Sequence, residues 1–234
     1  MSRSNPTVDL VNPAKVVLEW AAGANAGHLK YYNRETKEKC TIATPFKFAV
    51  LDERVTIMGY HKASNSGIFA PEVEKTSSED LKVMTYVGGA VKVLIEGLYG
   101  DIKEKVKAMG GNFHKVIYAS VIESKDPYVP EGSVVRLAFK GSAVSAWGDF
   151  KNPTKGGVEV GYKQLDNGNV TYRAPVFTPI DITDEQGDLA DQQDVELQEF
   201  FKAKKMADWA REEEKETTPS PAATTEEVEE EVPF

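Results

Sequence analysis

Four successive stretches of this chain place rings and cations on the strand face opposite their apolar set. In an extended run from His28 to Arg34, the side chains of His28, Lys30, Tyr32 and Arg34 share one side. From Arg54 to Lys62, Val55 and Ile57 point one way, and Arg54, Thr56, Met58, Tyr60 and Lys62 point the other. Leu81, Val83 and Val87 oppose Lys82, Met84 and Tyr86; after the Gly88-Gly89 turn, Val91, Val93 and Ile95 oppose Lys92, Leu94 and Glu96. Lys47 stands opposite Phe46, Phe48 and Val50. Such faces bind rather than catalyse. An unpaired nucleic-acid strand offers a phosphate at every step and a bare base face beside it; cations meet the first and rings the second. Stacking on one ring is worth roughly 1–3 kcal/mol and tolerates any base. Taken singly, each Tyr or Lys is an ordinary solvent-facing strand residue, so the recurrence carries the argument. The candidate DNA-contacting set is Lys30, Tyr32, Arg34, Lys47, Arg54, Tyr60, Lys62, Lys82, Tyr86 and Lys92. Trp20 and Trp147 join it as residues suited equally to a core or to a stacking platform.

Motifs for other chemistries are missing. No phosphate-binding Gly-x-x-x-x-Gly-Lys-Ser/Thr loop, dinucleotide-binding glycine pattern, His-Glu-x-x-His helix or Gly-x-Ser-x-Gly elbow occurs. Carboxylate-x-Lys triplets of the metal-dependent nuclease kind occur at Glu35–Lys37, Asp80–Lys82 and Asp101–Lys103, as expected by chance in a chain rich in Lys and Glu. A nuclease is therefore the alternative enzyme reading, and a protein–protein adaptor the alternative binding reading. Cys40 is the single cysteine, and the histidines His28, His61 and His114 stand far apart, so neither a disulfide nor a Cys-based zinc site is expected. The expectation is no cofactor, no metal and no catalysis.

The elements that must position these residues are mostly short strands. Lys15 to Trp20 and His28 to Arg34 read as the first two. Pro45 to Leu51, Arg54 to Lys62, Leu81 to Val87 and Ala90 to Glu96 follow, then Phe113 to Ile122 and Val134 to Phe139. Asp166-Asn-Gly-Asn169 reads as a hairpin turn between two more. Leu98, Ile102, Val106 and Met109 recur at helical spacing, and Gly110-Gly111 stops that helix. Gly141 to Phe150 allows one further helical turn around Trp147. The expected fold is mainly β: an elaborated OB-fold, a five-stranded Greek-key barrel with extra hairpins, one internal helix and a C-terminal helix, with a plain β-sandwich as the competing outline. The expected organisation is a flexible N-terminal arm over residues 1–13, an OB-fold DNA-binding domain over 14–180, a C-terminal helix over 181–212 and a disordered linker and tail over 213–234. Leu197, Phe200, Phe201, Met206 and Trp209 give that last helix a broken apolar stripe, for packing on the body or on a neighbouring subunit.

Charge divides the chain. Residues 1–180 hold 23 Lys and Arg against 19 Asp and Glu; residues 181–234 hold 5 against 18. A mildly basic body with an acidic extension suits a polyanion binder whose tail competes with its ligand. No stretch has the roughly 18 apolar residues of a membrane span, and Met1 to Pro6 shows no apolar signal region, so a soluble cytoplasmic protein (host cytoplasm if phage-encoded) is expected.

The chain closes in Glu226-Glu227-Val228-Glu229-Glu230-Glu231-Val232-Pro233-Phe234. Five of these nine residues are carboxylates, and the last is a large aromatic carrying the α-carboxylate. Such a peptide can insert its ring into a pocket while its carboxylate meets Arg or Lys. This ending resembles the acidic, Pro-Phe-terminated tail of bacterial and bacteriophage single-stranded DNA-binding proteins. Glutamates and Val232 stand where bacterial relatives often have aspartates and isoleucine. A β-rich body followed by a helix, a linker and this tip resembles the bacteriophage members most, since the body shows no bacterial sequence pattern. The resemblance implies a coat on exposed strands in DNA replication, recombination and repair, with polymerase, primase or helicase recruited through Glu226, Glu227, Glu229, Glu230, Glu231, Pro233 and Phe234. It casts doubt on the bacterial homotetramer; a monomer or homodimer, with contacts between neighbours along DNA through the Phe200 helix, is expected instead.

Overall fold

The computed structural model describes residues 11–21, 26–150, 156–168 and 170–217, side chains excepted at 167, 170 and 208–217. The N-terminal arm lies outside them up to residue 10, as does the whole of the acidic tip. Eleven strands form one open sheet among the described residues, with three helices. Its spine is the pair β4 (Phe46–His61) and β8 (Gly111–Glu123), antiparallel over nearly their full length. The β4 sequence is long and without an interior Pro, so nothing stops it at a barrel-sized length. Its other edge serves three partners in turn: β10 (Gly157–Asn167) at Phe46–Ala49, an isolated bridge from Val55 to Val73, and β5 (Ser66–Phe69) at Met58–His61. Register shifts at Lys47/Phe48 and between Val50 and Asp52 bend this spine, as an unpaired extra residue does.

From β8 the sheet continues through β9 (Val134–Lys140), β1 (Val16–Trp20), β2 (His28–Asn33) and β3 (Glu38–Ala43). The β1/β9 pairing is parallel. In the other direction it continues from β5 to β6 (Leu81–Val87) and β7 (Ala90–Gly97). The hairpin of β10 with β11 (Val170–Ile180) branches off β4. The sheet among the described residues is open and eleven-stranded, where five strands in a barrel were expected. The hairpins anticipated as decorations are instead hydrogen-bonded into the sheet itself.

Two apolar cores lie on its inner face. One gathers Phe46, Phe48, Leu137, Phe139, Val158, Val160 and Phe177 under α2 (Ser142–Asp149), whose Ala143 and Trp147 stand one helical turn apart. The other sets Ile102 and Val106 of α1 (Tyr99–Ala108) on Val55, Ile57, Leu81 and Val83. At Gly59 the α1–β8 turn comes so close that a Cβ would stand 2.2 Å from the Gly110 carbonyl oxygen, so β4 requires glycine there.

Contacts divide the chain into a body of residues 12–197 and a second unit of residues 1–11 and 198–234. The helix α3 (Asp184–Thr217) starts at a reciprocal cap: Thr183 N–H donates to Gln186 Oε1 at 3.1 Å, and Gln186 N–H donates to Thr183 Oγ1 at 3.2 Å. Within the body this helix buries Ala190 and Leu197, and Gln193 Nε2 donates to the Gly132 carbonyl at 2.7 Å. In the second unit the rings of Phe200 and Phe201 lie 5.5 Å apart.

Candidate nucleic-acid interface

The outer face of β1–β3 gathers four cations around an exposed ring. β1 alternates Lys15, Val17 and Glu19 outward with Leu18 buried; β2 alternates Lys30 and Tyr32 outward with Leu29 and Tyr31 buried. β1 runs beside its parallel partner β9 from Val16 to Glu19 and pairs with β2 only at Glu19/Lys30 and Trp20/Leu29. Where β1 and β2 part, a cleft of about 330 Å³ opens, lined by Lys15, Val16, Val17, Glu19, Lys30, Tyr31, Tyr32, Arg34 and Lys39. Lys39 enters from β3, directly opposite Tyr32. Tyr32 is 52% exposed. Four cations line the cleft against one carboxylate, Glu19, which holds Lys30 at 2.9 Å.

The rim is held in place from beneath. The Tyr31 hydroxyl donates to Asp126 Oδ2 at 2.8 Å, and its ring stacks on Tyr128 at 5.5 Å and 7°. Burial, then the Asp126 carboxylate, raises the Tyr31 pKa far above the ordinary phenol value, so it stays a neutral donor. Tyr128 Oη accepts the Arg34 N–H at 3.2 Å, and Asn33 Oδ1 accepts the N–H groups of Glu35 and Thr36 at 2.9 and 3.2 Å. Residues that sequence reasoning missed are therefore Lys15 and Lys39, which complete the cluster, and Tyr31, Asp126 and Tyr128, which position it. Lys15 was legible from its alternation with Val17 and Glu19. Lys39 was not, because Asn33 to Lys39 reads as a single charged loop, whereas the loop ends at Lys37 and Glu38 begins a strand.

The centre of the same sheet face is closed. Segment 70–75 docks along β4 through the reciprocal Val55/Val73 backbone bonds, 2.9 and 3.0 Å. Arg54 is only 8% exposed; its Nε donates to Asp52 at 2.9 Å and its guanidinium reaches Glu74 at 3.3 Å. Beside it Glu72 accepts from Arg136 at 2.6 Å and from the Tyr118 hydroxyl at 2.8 Å. Arg54 therefore belongs to a buried ion-paired network and leaves the candidate interface. The pattern put it on the correct face, but a chain segment distant in sequence covers that face.

Tyr60 and Tyr86 are 52% and 47% exposed at the far end of this face, with Lys62 exposed nearby and Lys82 half-buried. Lys92 is not with them. A register shift between Val83 and Met84 places Lys92 opposite Thr85 and leaves Val91 opposite Tyr86, so strict alternation fails in β7. Lys47 is paired to Glu123 at 2.6 Å, which holds its ammonium pKa above the ordinary value. It lines a separate cleft with Glu123, Glu131, Glu159 and Asp181, which repels a polyanion. Trp20 is half-buried on the larger core and donates its indole N–H to the Arg173 carbonyl at 3.2 Å. Trp147 is 4% exposed among Phe48, Phe139 and Phe177, so it is a core residue and no platform. Trp209 and the seven tail residues fall outside the side chains described. Among the described residues, no cluster of three His, Cys, Asp or Glu is placed to hold a metal ion, and no helix is long and apolar enough to cross a membrane.

His114 lies on the covered face, with its Nδ1 2.9 Å from the Asn112 carbonyl. Burial lowers its pKa; Lys140 and Arg136 add to that, while the Asn112 hydrogen bond and Glu19 oppose it. In the unfolded chain a histidine titrates near 6.5, so on acidification the unfolded state takes its proton first. Folding stability is then lost as pH falls from about 6.5 through the depressed folded value. The urea midpoint should fall between pH 7 and pH 5, and more shallowly in His114→Gln.

Comparison with known protein families, with characterised proteins and with solved structures finds no match to this chain.

Proposed function

We propose that this protein binds single-stranded DNA without sequence preference, through an elaborated OB-type body, and recruits replication or recombination partners through its acidic tip. The observation that carries this reading is the β1–β3 cleft: an exposed Tyr32 ringed by Lys15, Lys30, Arg34 and Lys39 on a hydrogen-bonded rim. A ring offers a stacking surface indifferent to base identity, and the cations follow the phosphates. The charge division of the chain supports a tail that occupies cationic surface at low salt and is released by DNA for a polymerase, primase or helicase.

The experiment is a titration with oligothymidylate at two salt concentrations, followed by tyrosine and tryptophan fluorescence. Four phosphate contacts predict a log–log salt slope of about −3, from roughly −0.7 per neutralised phosphate on single strands. Absence of binding at low salt rejects the reading in favour of an adaptor. Removing residues 226–234 should tighten binding at low salt, leave it unchanged at high salt, and abolish capture of the replication partner. Unchanged low-salt affinity together with intact capture removes the tail from the mechanism.

A further inference from the structure

The β4–β6 end of the sheet holds a gap between two exposed tyrosines that the cleft reading does not use. Met58 pairs with Phe69, and Phe69 with Met84; in the next row Tyr60 pairs with Gly67, and the same register sets Tyr86 on Gly67's other side. Two inter-strand steps of about 4.8 Å put the Cα atoms of the two tyrosines roughly 10 Å apart. A flat ring held between two others needs about 7–8 Å, two carbon contacts at ~3.5–4.0 Å each. Between them Gly67 is exposed, and a Cβ added there would meet nothing within 4 Å. Both walls are held: the Tyr60 hydroxyl bonds Asn65 Oδ1, and Tyr86 packs on Phe69 at 5.1 Å. Thr85 Oγ1 donates to the Gly67 carbonyl at 2.9 Å and fixes the floor.

We infer that this gap is a second base-stacking subsite, which takes an unpaired base of the same strand held at the β1–β3 cleft. The inference rests on the proposed single-strand binding. Continuity favours a nucleic-acid occupant. Val17 pairs with Arg136, Arg136 with Tyr118, and Tyr118 with Asp52; from there Arg54, Thr56, Met58 and Tyr60 alternate on one face without a register shift. Cleft and gap therefore lie on one face of one sheet. Six inter-strand steps, or about 29 Å, separate β2 from β6 along it. The ion-paired centre lies between them and sets Arg54 and Arg136 against Asp52, Glu72 and Glu74, one carboxylate in excess, so the crossing strand is not held there. Binding is then bipartite, and only a strand long enough to reach both ends uses the gap.

The test uses the full-length protein and two oligothymidylates, of about 6 and about 16 nucleotides, within the range of site sizes known for such grooves. Gly67→Val adds a β-branched side chain where backbone φ is not positive and nothing collides, so the fold tolerates it while the gap fills. The expected result is a fall of about fivefold or more in affinity for the long oligomer, with the short one unchanged. Tyr86→Leu, which keeps the apolar contact to Phe69 but removes the stacking ring, should act in the same sense; the unfolding midpoint of each variant checks the fold. Unchanged affinity for the long oligomer in both folded variants overturns the subsite. A change in the sedimentation coefficient of the free variant also overturns it and assigns the face to contact between copies. If the unaltered protein binds the short oligomer and only the gap variants are silent, the cleft stands and the subsite falls; if it binds neither oligomer, both fall.

Discussion

Tyr32→Ala weakens binding of short oligothymidylate by about 5- to 150-fold, the equivalent of the roughly 1–3 kcal/mol that one base–ring stack supplies. The ring is the one aromatic side chain exposed within the cleft; Tyr31, its neighbour there, is buried with its hydroxyl on Asp126. Alanine removes the platform and leaves Lys15, Lys30, Arg34 and Lys39 in place. The salt slope should therefore stay near its original value while the whole curve shifts to weaker binding. Lys39→Gln gives the opposite signature: a smaller loss of affinity and a slope reduced by about 0.7. Stability should change by no more than about 0.5 kcal/mol in Tyr32→Ala, because an exposed side chain away from caps and cores contributes little to folding. Equal affinity for Tyr32→Ala and the unaltered protein would show that the strand does not stack in this cleft.

Trp147→Ala reverses that balance. The indole packs against Phe177 at 4.9 Å and 90°, Phe150 at 5.5 Å, Phe139 at 6.2 Å and Phe48 at 6.4 Å. Removing it vacates the centre of the larger core and costs about 3–5 kcal/mol, a large part of the roughly 5–15 kcal/mol that holds a domain folded. For a chain of this size, 1 kcal/mol moves the unfolding midpoint by about 2–4 °C, so the Tm should fall by about 6–20 °C. The helix α2 suffers first. It has eight residues and no side-chain cap bond, so the burial of Ala143 and Trp147 is what holds it. Affinity of the protein that remains folded should stay within about twofold. A loss of DNA affinity without a loss of Tm would return Trp147 to the surface as a platform.

These two residues show how far local pattern reaches. Tyr32 was legible because β2 alternates strictly: Leu29 and Tyr31 are buried, Lys30 and Tyr32 face out, and no other described segment covers them. Trp147 was not, since a lone tryptophan among small residues suits a core and a platform equally, and the Phe cluster that encloses it comes from β4, β9 and β11. Arg54 shows a third outcome. Its face was assigned correctly, and then Glu72, Val73 and Glu74 were folded over it.

Sequence alone determined the mainly β character, the short helix before β8, the outward set of β2, and the division between a near-balanced body and an acidic extension. Each of these follows from spacing or composition within a dozen residues or so. Tertiary structure decided that the sheet stays open, that β1 follows β9 and meets β2 only at Glu19 and Trp20, that a bulge turns Lys92 away from Tyr86, and that acidic neighbours claim Lys47. The reason is physical: alternation specifies which side of its own strand a residue takes, whereas strand partners, bulges and covering segments are set by residues far away in the chain.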